Sequence, residues 1–172
     1  MRDEIARLIE PLDRGAPITD EALQTLSRYV ADMYGRALPE DYVAFLRLAD
    51  GADGALAGGN AIVLWEAGEL PGVQRDLETD EHMPGFFVIG SDSGDYLYGI
   101  DLRKDAPAGQ YLETEDAAMD WDYILWHGES FLELLRYADR PATPAGGGRL
   151  SFPSRLVESL RRLVRERPRA DR

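Results

Sequence analysis

Residues 86–103, FFVIGSDSGDYLYGIDLR, constrain this chain most. Two short apolar stretches, one over Phe86, Phe87, Val88 and Ile89 and one from Tyr96 to Leu102, flank a cluster of turn formers: Gly90, Ser91, Asp92, Ser93, Gly94 and Asp95. Such a pattern reads as two β-strands joined by a tight acidic turn. Along the second strand the period of two places Tyr96, Tyr98, Ile100 and Leu102 on one face and Asp95, Leu97, Gly99 and Asp101 on the other. The first set is the more apolar and is expected to face the core.

Around this hairpin the spacing alternates between helical and extended. Ile5, Leu8, Ile9 and Leu12 form one stripe of a short first helix. Thr19 or Asp20 is placed to cap a second helix, lined by Leu23, Leu26, Val30 and Met33 and ended by Gly35. Pro39 suits the first turn of a third, with Glu40 and Asp41 at its positive end and Tyr42, Phe45, Leu46 and Ala49 on its buried face. Residues 50–60, DGADGALAGGN, read as a glycine-rich loop, and residues 62–65 as a short strand. Leu70, Val73 and Leu77 mark a helical turn or two in an otherwise irregular acidic stretch. Residues 110–113 read as a further strand. Phe131, Leu134, Leu135 and Ala138 define a helix that Ser130 can cap.

Charge divides the chain. The formal net charge is −13, yet residues 149–172 hold eight arginines against three acids, so this segment carries +5 and residues 1–148 carry −18. An acidic body repels phosphate backbones, which argues against nucleic acid as a partner and in favour of a basic protein. The domain reading is residues 1–138 as a folded body, 139–149 (DRPATPAGGGR) as a Pro- and Gly-rich linker, and 150–172 as a basic amphipathic helix with its stripe at Leu156, Leu160, Leu163 and Val164. That helix has an apolar stripe to cover. A membrane surface, a protein partner or the acidic body can cover it, and docking on the body, in cis or across a homodimer, is favoured by charge.

Several chemistries lack their signals. There are no cysteines, so disulfides and thiolate metal sites are excluded. No apolar run reaches the roughly 18 to 20 residues of a membrane span. The acidic N-terminal segment lacks a signal-peptide core. A cytoplasmic protein with no membrane partner and no cofactor is therefore expected. His82 and His127 have no metal-ligand partner at helical spacing. Gly90-Ser91-Asp92-Ser93-Gly94 has the spacing of a nucleophile elbow with Asp92 in the nucleophile's place, but that motif needs a helix after it and the next segment is strand-like. A carboxylate-only cation site among Asp92, Asp95, Glu113, Glu115 and Asp116 is a weaker alternative. Residues 119–123, Met-Asp-Trp-Asp-Tyr, alternate aromatic with acid and suit either a recognition surface or an edge strand.

Leu38-Pro39-Glu40-Asp41-Tyr42 with Phe45-Leu46, then Asp50-Gly51, residues 62–65, Phe87-Val88-Ile89-Gly90-Ser91-Asp92 with Gly94-Asp95, Tyr98-Gly99-Ile100-Asp101-Leu102 and Ser130-Phe131-Leu132-Glu133-Leu134-Leu135 occur in an order that resembles the SUKH superfamily, whose founding members include a fungal cell-wall assembly regulator. The likeness covers about residues 20–138. It implies an α+β fold, an antiparallel sheet packed by helices mainly on one side, to which this chain adds its C-terminal amphipathic helix. Many bacterial relatives look like immunity proteins that bind and neutralise toxins, and the family has no known shared catalytic apparatus. The resulting expectation is a non-enzymatic, protein-binding immunity protein that occludes a basic toxin, such as a nuclease. Its expected contacts are Asp92, Asp95, Glu115, Asp116, Asp120, Trp121 and Asp122, the acids steering association and Trp121 supplying contact area. The alternatives are a regulatory or scaffold protein of the same fold and, less favoured, a hydrolase or metal-dependent enzyme built on the acids.

Overall fold

In the computed structural model, which describes residues 1–140, the hairpin of residues 86–103 is the centre of the sheet. Its strands are β4 (Phe86–Ser91) and β5 (Tyr96–Asp101), paired antiparallel with a bulge between Val88 and Gly90. β1 (Asp13–Arg14), β2 (Ala52–Ala55) and β3 (Ala61–Leu64) extend the sheet on one side, and β6 (Tyr111–Glu115) and β7 (Ile124–Gly128) on the other. Spatial order follows chain order from β1 to β7, and every pairing is antiparallel.

The helices arise where their caps and apolar spacing place them. α1 (Arg2–Leu8) buries Ile5. In α2 (Asp20–Tyr34) the Thr19 hydroxyl accepts from Ala22 N–H, and Gly35 ends the helix at φ 66°, a left-handed conformation that glycine adopts at little cost. α3 (Glu40–Leu46) buries Tyr42, Phe45 and Leu46. α6 (Phe131–Ala138) is capped by Ser130, which accepts from Glu133 N–H, and buries Phe131, Leu134, Leu135 and Ala138. These four helices contribute to the main core with Ile62, Leu64, Phe87, Ile89, Tyr98, Ile100 and Tyr111 of the sheet. Phe131 is its aromatic centre, with ring centroids 4.8 Å from Phe45, 5.5 Å from Tyr42 and 5.8 Å from Tyr111.

The opposite face of the sheet is covered as well. Short helices α4 (Leu70–Asp76) and α5 (Thr79–His82) lie there, and Val73, Leu77, Met83, Phe86, Val88, Leu97 and Leu112 form a second apolar cluster. Every residue of β4 and β5 is consequently buried, so the set containing Leu97, Gly99 and Asp101 is not a solvent face. Gly99 leaves the slot that the Phe86 ring fills; a Cβ there would come 2.7 Å from that ring's Cζ and from the Phe87 carbonyl oxygen. Buried Asp101 is balanced by Arg103, 2.7 Å away.

Two further elements differ from the sequence expectation. The glycine-rich loop of residues 50–60 contains β2, which forms a hairpin with β3 and is built from Ala, Asp and Gly; its small side chains give no alternating signal. β7 is one of the two edge strands, and the residues alternating aromatic with acid lie ahead of it, the last three of them in a 3₁₀ turn (Trp121–Tyr123). The linker from residue 141 onward and the basic C-terminal helix lie outside the described residues.

Candidate functional site

The hairpin turn is built by Asp92. Its Oδ1 accepts from Gly94 N–H at 2.8 Å and Tyr96 N–H at 3.1 Å, its own N–H donates to the Tyr96 carbonyl, and Ser93 takes a left-handed φ of 66°. A carboxylate held in this way fixes the turn geometry, and β5 follows it where a nucleophile elbow needs a helix.

Sheet pairing brings four expected contact residues to one end of the molecule. Asp92 and Asp95 lie in the β4–β5 turn, Glu115 pairs with Tyr96 across β5 and β6, and Asp116 N–H donates to the Asp95 carbonyl at 2.8 Å. From there the chain forms a 3₁₀ turn (Asp116–Ala118) and crosses the second face of the sheet, where Met119, Trp121 and Ile124 pack against the second cluster.

The remaining three candidates sit on that crossing segment. Asp120 caps its 3₁₀ turn, accepting from Asp122 N–H at 3.0 Å, and Asp122 is exposed. Trp121 is half-buried and turned inward: its Nε1–H donates to the Pro84 carbonyl at 3.2 Å, and the Arg103 guanidinium lies 3.5 Å from its ring centroid. Asp101 accepts from that same guanidinium, and this hydrogen bond raises the Arg103 pKa above its ordinary value. The Trp121 ring is thereby engaged within the fold, and the exposed apolar side chains of this region are Tyr123, 62% exposed, and Leu125, 50% exposed.

Between the crossing segment and the helices of the second face runs an open groove of about 390 Å³. Leu77, Met119, Ala117, Ala118 and Tyr123 supply apolar walls; Asp76, Glu78, Asp116 and Asp120 supply acids, with His82 Nε2 3.5 Å from Glu78. Of these, Asp116 and Asp120 are among the contacts expected from the sequence, Asp120 through the aromatic–acid pattern of residues 119–123. Asp76 and Glu78 reach the groove through the path of α4 and α5, of which only the spacing of Leu70, Val73 and Leu77 leaves a sequence signal.

These acids do not gather around one point as a cation site would require. Glu113 lies on the main-core face, where its Oε2 accepts from the Tyr137 hydroxyl at 2.6 Å, apart from the turn acids with which it was grouped as a cation site. Among the described residues no group of three or more His, Cys, Asp or Glu side chains is arranged to hold a metal ion.

A sequential antiparallel sheet with its larger helices on one face, an acidic end and an acid-lined groove defines a small α+β protein. Residues 17–137 match the SMI1 / KNR4 family (SUKH-1), and the chain belongs to that family. No curated protein matches the chain. No helix among the described residues is long and apolar enough to cross a membrane.

Proposed function

We propose that this chain is an immunity protein whose acidic surface covers the basic active face of a toxin, a nuclease being the fitting chemistry. Family membership supports a protein-binding module of this kind. The observation that carries the reading is the convergence of Asp92, Asp95, Glu115 and Asp116 at one sheet end, continuous through Asp116 with the acid-lined groove. Exposed Tyr123, which lines that groove, and exposed Leu125, two residues further along the chain, would supply apolar contact, the acids steering the encounter and setting its orientation. Asp120 and Asp122 flank the Tyr123 contact. Trp121 would act from behind, by holding the segment that presents them. Binding by occlusion needs no cofactor.

A toxin encoded beside this chain should arrest growth when expressed alone, and co-expression of this chain should restore growth. With the purified pair, Asp95→Lys together with Asp122→Lys should slow association by about tenfold at low salt and by much less near 1 M salt, where the Debye length is about 3 Å. Unchanged association at low salt would remove this surface from the reading. Native capture of an endogenous protein in place of a toxin would assign the chain to regulation or scaffolding.

A further inference from the structure

Both faces of the central sheet are covered, but the groove between α4, α5 and the crossing segment is open. Asp76, Glu78 and Asp120 are exposed there, Met119 is half-buried, and Tyr123 is 62% exposed. Acids come from both walls, Asp76 and Glu78 from the helical side and Asp120 from the crossing segment, while Leu77, Met119 and Tyr123 supply apolar surface. Among the described residues no Lys or Arg is paired with Asp76, Glu78 or Asp120. The volume, about 390 Å³, takes several side chains and not a folded domain.

The sequence beyond residue 140 carries the complementary pattern. At about 3.6 residues per turn, Leu156, Leu160, Leu163 and Val164 fall on one stripe, with Arg161 on one flank and Arg155 and Arg162 on the other. A row of leucines between arginines matches an apolar groove between acids.

The place where the described chain ends puts the groove within reach. Asn60 Nδ2 donates to the Ala138 carbonyl at 2.8 Å and also to the Arg140 carbonyl, and Asp139 Oδ1 accepts from Gly58 N–H at 2.6 Å. The backbone therefore leaves α6 against the β2–β3 turn. Val63 of β3 pairs with Ser91 at the end of β4, and Thr114 near the end of β6 pairs with Ile124, so this turn shares the end of the sheet from which the crossing segment starts. Three strand spacings from β3 to β6 are about 14 Å, and a change of layer adds about 10 Å. Residues 141–148 reach up to about 26 Å when extended. A short tether presents a segment to its own fold at an effective concentration in the millimolar range, above what a second copy supplies in dilute solution.

We propose that residues 149–172 dock in cis in this groove, the leucine stripe on Leu77, Met119 and Tyr123 and the flanking arginines on Asp76, Glu78 and Asp120. Tyr123 and Asp120 are assigned above to a basic partner, so the segment is an internal competitor that the partner must displace. This second step rests on the proposed function; the docking itself does not.

The absence of cysteine allows a nitroxide to be placed cleanly at Glu158→Cys, opposite the stripe, in the full-length protein. At low salt the amide signals of Leu77, Met119 and Tyr123 should broaden, while those of α1 and α3 in the main core stay sharp. The broadening should persist on dilution and fade near 1 M salt. It should fade as well in the variant Arg155→Gln, Arg161→Gln, Arg162→Gln and in the variant Leu156→Asn, Leu160→Asn, whose changes all lie outside the described fold. Sharp groove signals at low salt, broadening that disappears on dilution (the mark of a second copy), or broadening indifferent to salt and to both variants would each overturn the proposal. No toxin enters this measurement, so failure of the immunity reading leaves its result intact. If both hold, the leucine variant, whose charge is unchanged, should bind the toxin faster than the parent chain does.

Discussion

Asp41 shows how much one carboxylate can organise. Its position at the start of α3 suits the helix dipole, but the fold asks more of it: Oδ1 accepts from the Tyr111 hydroxyl at 2.7 Å and Oδ2 from Phe131 N–H at 2.6 Å. One side chain thereby joins α3, β6 and the first turn of α6 around the Phe131 aromatic centre. Hydrogen bonds to a charged group contribute about 1.5–3 kcal/mol each, and removing the acceptor leaves a buried hydroxyl unsatisfied. Asp41→Ala should lower the unfolding free energy by about 3 kcal/mol in chemical denaturation, and Asp41→Asn, which keeps two acceptor sites at most in part, by less. A loss under about 1 kcal/mol would show that water replaces these contacts.

At the level of elements, β5 is the strand whose two faces are both spoken for, and Gly99 is where this is tightest. Gly99→Ala should destabilise by about 1–3 kcal/mol, because the Phe86 ring must leave its slot and the Phe87 carbonyl cannot move without disturbing the β4–β5 pairing. The thermal midpoint measures this directly. The same strand shows what the amino-acid order reveals and what it hides. α2, α3 and α6 are legible because Thr19, Gly35 and Ser130 mark their ends and leucines and aromatics fall at helical spacing. The main-core set Tyr98 and Ile100 is legible from alternation. The second core is hidden because α4 and α5 are too short to write a full stripe. β2 is hidden because backbone hydrogen bonds to β3, and not its small side chains, define it. Of the site, Asp92, Asp95, Glu115 and Asp116 stand close because two turns meet, whereas the inward set of Trp121 depends on Arg103 and Pro84, which are distant in sequence.

For the molecule as a whole, the buried phenols set an alkaline limit. Desolvation raises the Tyr42 pKa, and burial with the neighbouring Asp41 carboxylate raises that of Tyr111, above the ordinary value of 10.0. In the unfolded chain both ionise near pH 10, while the fold keeps them protonated, so stability is full below about pH 10 and falls as pH rises beyond it, by about 1.4 kcal/mol per pH unit for each tyrosine. Denaturation midpoints measured from about pH 9 to 11 should bend downward near 10, and Tyr42→Phe should reduce the slope; a flat profile would mean that these rings are reached by water. The first helix adds a different consequence. Arg136 of α6 donates to Glu4 of α1, and Ile5 and Ile9 join the same core as Leu134 and Leu135. Since each strand lies beside its neighbour in the chain, the sheet can grow in the order the ribosome delivers it. α3 can cover one side of α1 early, but the side that meets α6 waits until the stretch around residue 136 has been synthesised, and until then it is a place where a chaperone would find something to hold.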